Sequence, residues 1–290
     1  MRLPLTALIA VTTLYAAESV LPDPKSPQYQ SKGDQKRTYA FPGTGEAIPY
    51  HLYVPSKWTP KTRLPLVVIL HGANQGPDTV FERNEGILGK TAEQRGYIVV
   101  APIGYRPNGG YNNAFRIVPA VRPAGGPVPD GAKGAAKAKD KGQAKAAPLT
   151  AEDRQRSEDD ILYVADLVAK EYRTDPKRVY LMGNSMGGGG TWYLGQKFPE
   201  RWTALAPSAG PVSPEDYPYA RLKPLPVLVL HGVQDQVTSF DASKTMYEKA
   251  KAAGVDAEFL PIPEGDHFVA WSTVVPQIFD FFEKHKSKKK

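Results

Sequence analysis

The sequence predicts an α/β fold with a mostly parallel central sheet and helices on both faces. Three observations carry that expectation. Apolar runs of strand length, at residues 66–70, 97–101, 178–182, 203–208, 227–230 and 257–262, alternate with stretches of helical periodicity, the rhythm of strand-helix units. One run passes directly into Gly183-Asn184-Ser185-Met186-Gly187 and then into a helix-like segment, so the chain turns sharply from strand to helix there. The 290 residues contain no internal repeat, and trimming the ends leaves about 250, enough for one α/β domain with a full core.

Taken in order, residues 1–17 read as a secretory signal peptide: Met1-Arg2, an apolar run from Leu3 to Tyr15, then Ala16-Ala17. The run is short for a bilayer span, so no stable membrane insertion is expected after cleavage; an uncleaved anchor is the alternative. Residues 18–36 are read as an N-terminal extension and 37–284 as one domain. The strand 66–70 leads into His71-Gly72-Ala73-Asn74-Gln75. Residues 123–148 are mostly Ala, Gly, Lys and Pro without an aromatic, too little apolar surface to fold on, so 122–149 is expected to be a disordered basic insertion. Ser157-Glu158-Asp159-Asp160 resembles a capping box opening a helix with Ile161, Val164, Leu167 and Val168 on its apolar face. A helix over 186–197 follows the sharp turn and ends before Pro199; another opens at Asp241; a last one runs to a Lys-rich tail, 285–290.

The formal charge of +7 is concentrated. Arg122 and five lysines against two aspartates in 122–148, with five more lysines in 284–290, account for a net nine positive charges and leave the rest at about −2. With no aromatic residues interleaved in the basic segments, nucleic acid is not expected as a partner. Zero cysteines exclude disulfides, cysteine-based zinc sites, a cysteine nucleophile and lipid attachment at a cysteine.

Ser185 is the candidate nucleophile, because the turn presents one side chain above the sheet while glycines two residues away let the backbone approach. The run Gly187–Gly190 lacks the Lys-Ser/Thr pair of a phosphate loop. A serine needs a neutral histidine to take its proton and a carboxylate to orient that histidine. After such a turn the partners follow in the order acid, then histidine. Of the downstream histidines, His285 sits in the Lys-rich tail, where a solvated role is expected, and His231 ends an apolar strand ahead of any loop carboxylate. His267, in Gly265-Asp266-His267, is the candidate base. Asp235, a few residues past the strand 227–230, is the candidate acid; Asp266, next to His267, suits a loop or cap role, and Asp241 and Asp256 read as helix-start and turn residues. The backbone N–H groups of Met186 and Ala73 are the candidate oxyanion hole, with Gly72 allowing close approach and His71 bracing the loop. Tyr111, Tyr217 and Tyr219 fit pocket walls and plain packing equally.

The set Leu70-His71-Gly72, Gly183-Asn184-Ser185-Met186-Gly187, His231-Gly232-Val233-Gln234-Asp235 and Gly265-Asp266-His267 resembles the α/β-hydrolase superfamily. Within it the chain is similar to the secreted esterase branch that holds polyhydroxybutyrate depolymerases, feruloyl esterases and related prolyl-oligopeptidase-type hydrolases, over nearly all of 37–283. The resemblance implies the α/β-hydrolase fold for the 37–284 domain, with residues 42–55 entering the sheet antiparallel. It also implies a secreted or periplasmic serine esterase acting on a small-molecule or polymeric ester through Ser185, Asp235 and His267, with no cofactor and no metal. A peptidase using the same residues and a noncatalytic binding protein on this scaffold stay open. The missing disulfides and the long insertion near residue 130 depart from the branch.

Overall fold

The computed structural model describes residues 20–121 and 149–286. The expected leader 1–17, residues 122–148 of the insertion and the last four tail residues lie outside them. Eight strands form one sheet in the order β1-β2-β4-β3-β5-β6-β7-β8: β1 Gly33–Ala40, β2 Ala47–Val54, β3 Leu66–Leu70, β4 Ile98–Pro102, β5 Val179–Asn184, β6 Ala204–Ser208, β7 Val227–Gly232 and β8 Ala257–Ile262. β2 runs antiparallel to β1 and to β4; all other pairs are parallel. The inner strands read as continuous apolar runs because both faces are covered. Leu66, Val68 and Leu70 of β3 point into one core with Ile161, Val164, Trp192 and Met246, while Val67 and Ile69 point into another with Phe81, Leu88, Phe279 and Phe282.

The first core lies under α3 (Ala151–Tyr172), α4 (Met186–Lys197) and α5 (Phe240–Ala252); the second lies under α1 (Pro77–Glu82), α2 (Ile87–Arg95), α6 (Ala270–Thr273) and α7 (Val275–Lys284). No described helix is long and apolar enough to cross a membrane. The chain leaves β3 toward β4 on one side and β5 toward β6 on the other, so the loops after β3 and β5 diverge. This is the topological switch point, where a parallel sheet opens a crevice at the strands' carboxyl ends.

Three expectations need correcting. The helix expected after Ser157 begins at Ala151: Thr150 Oγ accepts the Asp153 N–H and the Asp153 carboxylate accepts the Thr150 N–H, each at 3.0 Å, so the cap lies seven residues earlier. Ser157 and Asp160 instead face inward, Ser157 Oγ accepting the Tyr111 N–H at 3.0 Å. The sheet starts inside the stretch read as an extension, because β1 begins at Gly33; its inward residues Gln35 and Arg37 are polar and hide the alternation. Arg37 is buried against Glu171 at 2.9 Å, and Gln30 N–H donates to the same carboxylate. Finally, His285 is not solvated: its ring packs 4.5 Å from that of Phe281 at the end of α7, with Asp256 3.6 Å away.

Candidate active site

β5 ends at Asn184, and Ser185 links it to α4 with φ 59° and ψ −117°. A side chain held at positive φ is strained, by roughly 1–3 kcal/mol, and persists only where its surroundings fix it. Here Ser185 N–H donates to Ser208 O at 2.9 Å and Ser185 O accepts from Gly189 N–H at 3.0 Å, tying both ends of the residue. The two flanking glycines are sterically required. A Cβ on Gly183 would sit 2.4 Å from Gly187 O, and one on Gly187 would sit 2.1 Å from Leu70 O.

His267 lies in the loop after β8, with Nε2 2.8 Å from Ser185 Oγ and Nδ1 2.7 Å from Asp235 Oδ2. A carboxylate accepts only, so Nδ1 carries the proton toward Asp235 and Nε2 is free to accept the Ser185 hydroxyl. The structure thus brings together Ser185, Asp235 and His267 from loops after β5, β7 and β8. Asp235 and His267 are buried and Ser185 is partly exposed, so the hydroxyl faces the crevice while its partners are shielded. Burial alone raises the Asp235 pKa. Hydrogen bonds from His231 and His267 and from the Thr238 N–H outweigh it and hold the carboxyl well below its ordinary range.

Three contributors went unrecognised in the sequence. His231, fully buried at the end of β7, has Nε2 3.0 Å from Asp235 Oδ2. Asn184 donates from Nδ2 to His267 O at 3.2 Å and accepts the Ser208 hydroxyl at 3.0 Å, bracing the His267 loop against the nucleophile turn. Asn108 accepts the Asn74 N–H at 2.7 Å and donates to the Asn74 side chain at 2.8 Å, pinning the loop after β3 where Asn74 takes φ 59°. Asn184 and His231 lie inside the motifs quoted above, but nothing local in the sequence shows these contacts; the fold makes them.

Met186 opens α4, where a helix leaves its N–H without an intrahelical acceptor, and Ala73 lies exposed in the β3 loop. His71 is buried, its ring nitrogens 2.8 Å from Gly72 O and 2.9 Å from Ile103 O, and burial lowers its pKa. Tyr111 OH donates to His71 O at 3.0 Å. Asp266 accepts the N–H groups of Phe268 and Val269, the geometry of a turn cap. Asp241 falls in the first turn of α5, which Ser239 caps. Tyr111, Tyr217 and Tyr219 are buried and pack; Tyr217 OH donates to Trp192 O at 2.7 Å. Among the described residues no group of three or more His, Asp or Glu side chains is placed to hold a metal ion.

The model of the dienelactone hydrolase family matches residues 52–273, a span holding every side chain of this site. The chain belongs to the dienelactone hydrolase family. That agrees with the α/β-hydrolase resemblance read from the four motifs. Among curated proteins, this family member is 25% identical over 201 residues to a bifunctional acetylxylan esterase/xylanase, XynS20E, of Neocallimastix patriciarum, covering 68% of this chain and 22% of that protein. It is 35% identical over 80 residues to feruloyl esterase B of Piromyces equi, covering 27% of this chain and 15% of the other. The chain therefore spans less than a quarter of the length of these relatives. Among solved structures, the Staphylococcus aureus fluorophosphonate-binding serine hydrolase FphF aligns with TM-score 0.63 at 15% identity, over 87% of this chain and 99% of its own, a likeness of fold.

Proposed function

We propose that the chain is a serine-type carboxylic ester hydrolase working through an acyl-enzyme. The observation that carries this is the continuous chain from Ser185 Oγ to His267 Nε2 at 2.8 Å and from His267 Nδ1 to a buried carboxylate at 2.7 Å. Ser185 Oγ attacks the ester carbonyl as its proton passes to His267 Nε2, and Asp235 stabilises the imidazolium that results. Negative charge on the carbonyl oxygen is met by the N–H groups of Met186 and Ala73; losing one such donor typically costs about 100- to 1000-fold in turnover. His267 then protonates the departing alcohol, and water attacks the acyl group by the same proton route. No step calls on a cofactor or metal.

The relatives' names make acetyl and feruloyl esters the acyl groups to try first. Export is part of the proposal, with residues 1–17 as its leader; the mature N-terminus, read by mass spectrometry after expression with a secretion pathway, tests it. The activity is tested by labelling with a fluorophosphonate probe beside Ser185→Ala. Absence of Ser185-dependent labelling in folded protein would overturn the enzyme reading. Turnover of a peptide anilide exceeding that of p-nitrophenyl acetate would replace esterase by peptidase.

A further inference from the structure

Asp235 has four hydrogen-bond positions on its two oxygens, and each has a candidate occupant. Oδ1 accepts the N–H groups of Val237 at 2.7 Å and Thr238 at 2.9 Å. Oδ2 lies 2.7 Å from His267 Nδ1 and 3.0 Å from His231 Nε2. Thr238 Oγ is also 3.0 Å from Oδ2, but it has a second acceptor, Ala209 O, at 2.9 Å, and its single proton serves only one of them. His231 is fully buried at the end of β7, and its other ring nitrogen, Nδ1, lies 2.6 Å from Ser243 Oγ on α5.

We infer that His231 is a positioning residue for the hydrolytic site: a neutral imidazole, protonated on Nε2, that donates to Asp235 Oδ2 opposite His267. The inference rests on the Ser185-His267-Asp235 reading above. Asp235 accepts only, so both imidazoles must donate to it, which sets His231 in the Nε2–H tautomer. Ser243 then completes the chain by donating its hydroxyl proton to Nδ1. With both lone pairs of Oδ2 taken, the Thr238 hydroxyl turns to Ala209 O, and every donor around the carboxylate has one acceptor. The consequence is mechanical and electrostatic. His231 fixes the plane of the carboxylate from the side away from the substrate, so that Oδ2 stays aimed at His267 when the proton arrives. It also keeps the carboxylate ionised without a second positive charge, which would weaken the imidazolium that Asp235 has to stabilise. Contact with substrate is no part of this role, because the ring, at the end of β7, is fully buried against α5.

The experiment uses the full-length protein in three parts. Nitrogen-15 NMR of imidazole-labelled wild type is expected to place the His231 proton on Nε2 and the ring neutral at the pH where ester turnover is maximal; an Nδ1-protonated or doubly protonated ring would overturn the inference. Steady-state kinetics on a p-nitrophenyl ester are expected to show kcat reduced roughly tenfold in His231→Phe with KM unchanged. The loss is limited to that size because the Thr238 hydroxyl swings from Ala209 O to replace the missing donor. His231→Gln, which keeps an N–H donor of similar reach, is expected to recover most of the loss. Undiminished kcat in folded His231→Phe, or equal losses in the Phe and Gln variants, would overturn the role. Should His231→Phe fail to fold, Ser243→Ala and the NMR assignment carry the test: because Asp235 sets the tautomer, the Nε2–H signal is expected to persist in Ser243→Ala while the Nδ1 resonance shifts with the loss of its donor, and an unchanged Nδ1 resonance would refute the chain through Ser243. Wild type without Ser185-dependent labelling sinks the hydrolase reading, whereas labelled, active wild type with the wrong tautomer sinks this one alone.

Discussion

Asp160 offers a test in which sign and size both follow from the structure. It is a fully buried carboxyl on α3; Oδ1 accepts the Tyr39 hydroxyl at 2.6 Å, and Oδ2 accepts the N–H groups of Gly104 at 2.7 Å and Tyr105 at 3.0 Å. Burial pushes its pKa from 3.8 up to about 6, against the pull of hydrogen bonds from Tyr39, Tyr105 and Gly104. The native state therefore holds this proton more tightly than the unfolded chain between pH 4 and 6. Stability from it is fully present below about pH 4, is lost as pH rises through about 6, and is level above that. A shift of about two units corresponds to about 3 kcal/mol. Asp160→Asn keeps the shape and an acceptor for the two N–H groups but removes the titration. Urea unfolding of both proteins at pH 4, 5, 6 and 7 is expected to show the Asn variant gaining about 3 kcal/mol on wild type between pH 4 and pH 7. Parallel curves would refute the reasoning, since a carboxyl that stays ionised in the fold at pH 4 has no proton to lose.

Other outcomes follow from single contacts. Gly187→Ala forces a Cβ to 2.1 Å from Leu70 O, a backbone atom that cannot swing away, so it is expected to lower stability by about 1–3 kcal/mol or abolish soluble expression, measured by thermal unfolding. Asn108→Ala unties the Asn74 loop and is expected to lower kcat on a p-nitrophenyl ester about tenfold with little change in unfolding temperature; unchanged kcat would separate that loop from catalysis. Asp235 has the opposite pKa direction from Asp160, so its contribution to stability is present above about pH 4 and is lost on acidification below it. Asp235→Asn is expected to flatten acid unfolding in that range and to cut kcat about 10⁴-fold, because an amide presents the wrong partner to His267 Nδ1.

The sheet was legible because parallel strands buried on both faces are unbroken apolar runs, and β3 and β8 fall on the expected residues. The strand β1 was harder to read because its inward positions include Gln35 and Arg37, whose burial depends on Glu171, far away in sequence. The helix at Ala151 was placed late because Thr150-Ala151-Glu152-Asp153 and Ser157-Glu158-Asp159-Asp160 carry the same kind of cap signal. Only packing shows that Ser157 and Asp160 face inward to hold Tyr111, Gly104 and Tyr105. At the site, Ser185, Asp235 and His267 announce themselves by glycine-flanked turns at strand ends. The supports do not: Asn184, Asn108 and His231 act through side-chain contacts between segments 24 residues apart or more, or, for His231, through a loop that folds Asp235 back over its own strand.

Two buried carboxyls in one domain with opposite pKa directions show how the fold divides its work. Both Asp160 and Asp235 pay a desolvation penalty, the larger one falling on the more deeply buried Asp160, and both accept a pair of backbone N–H groups. They differ further at the remaining oxygen. Asp160 meets one donor there, the Tyr39 phenol, which does not offset the full burial, and the carboxyl is held up near 6. Asp235 meets two imidazoles on Oδ2, and the carboxylate is kept ionised throughout the physiological range. An acid that anchors the loop after β4 can be neutral without loss, because its N–H partners need only an acceptor. In the proposed mechanism, an acid that must stabilise a passing imidazolium cannot be, and one imidazole alone would have to supply both the donor that keeps it charged and the proton carrier it serves. Placing a second, nonreacting imidazole at the end of β7 separates those two tasks.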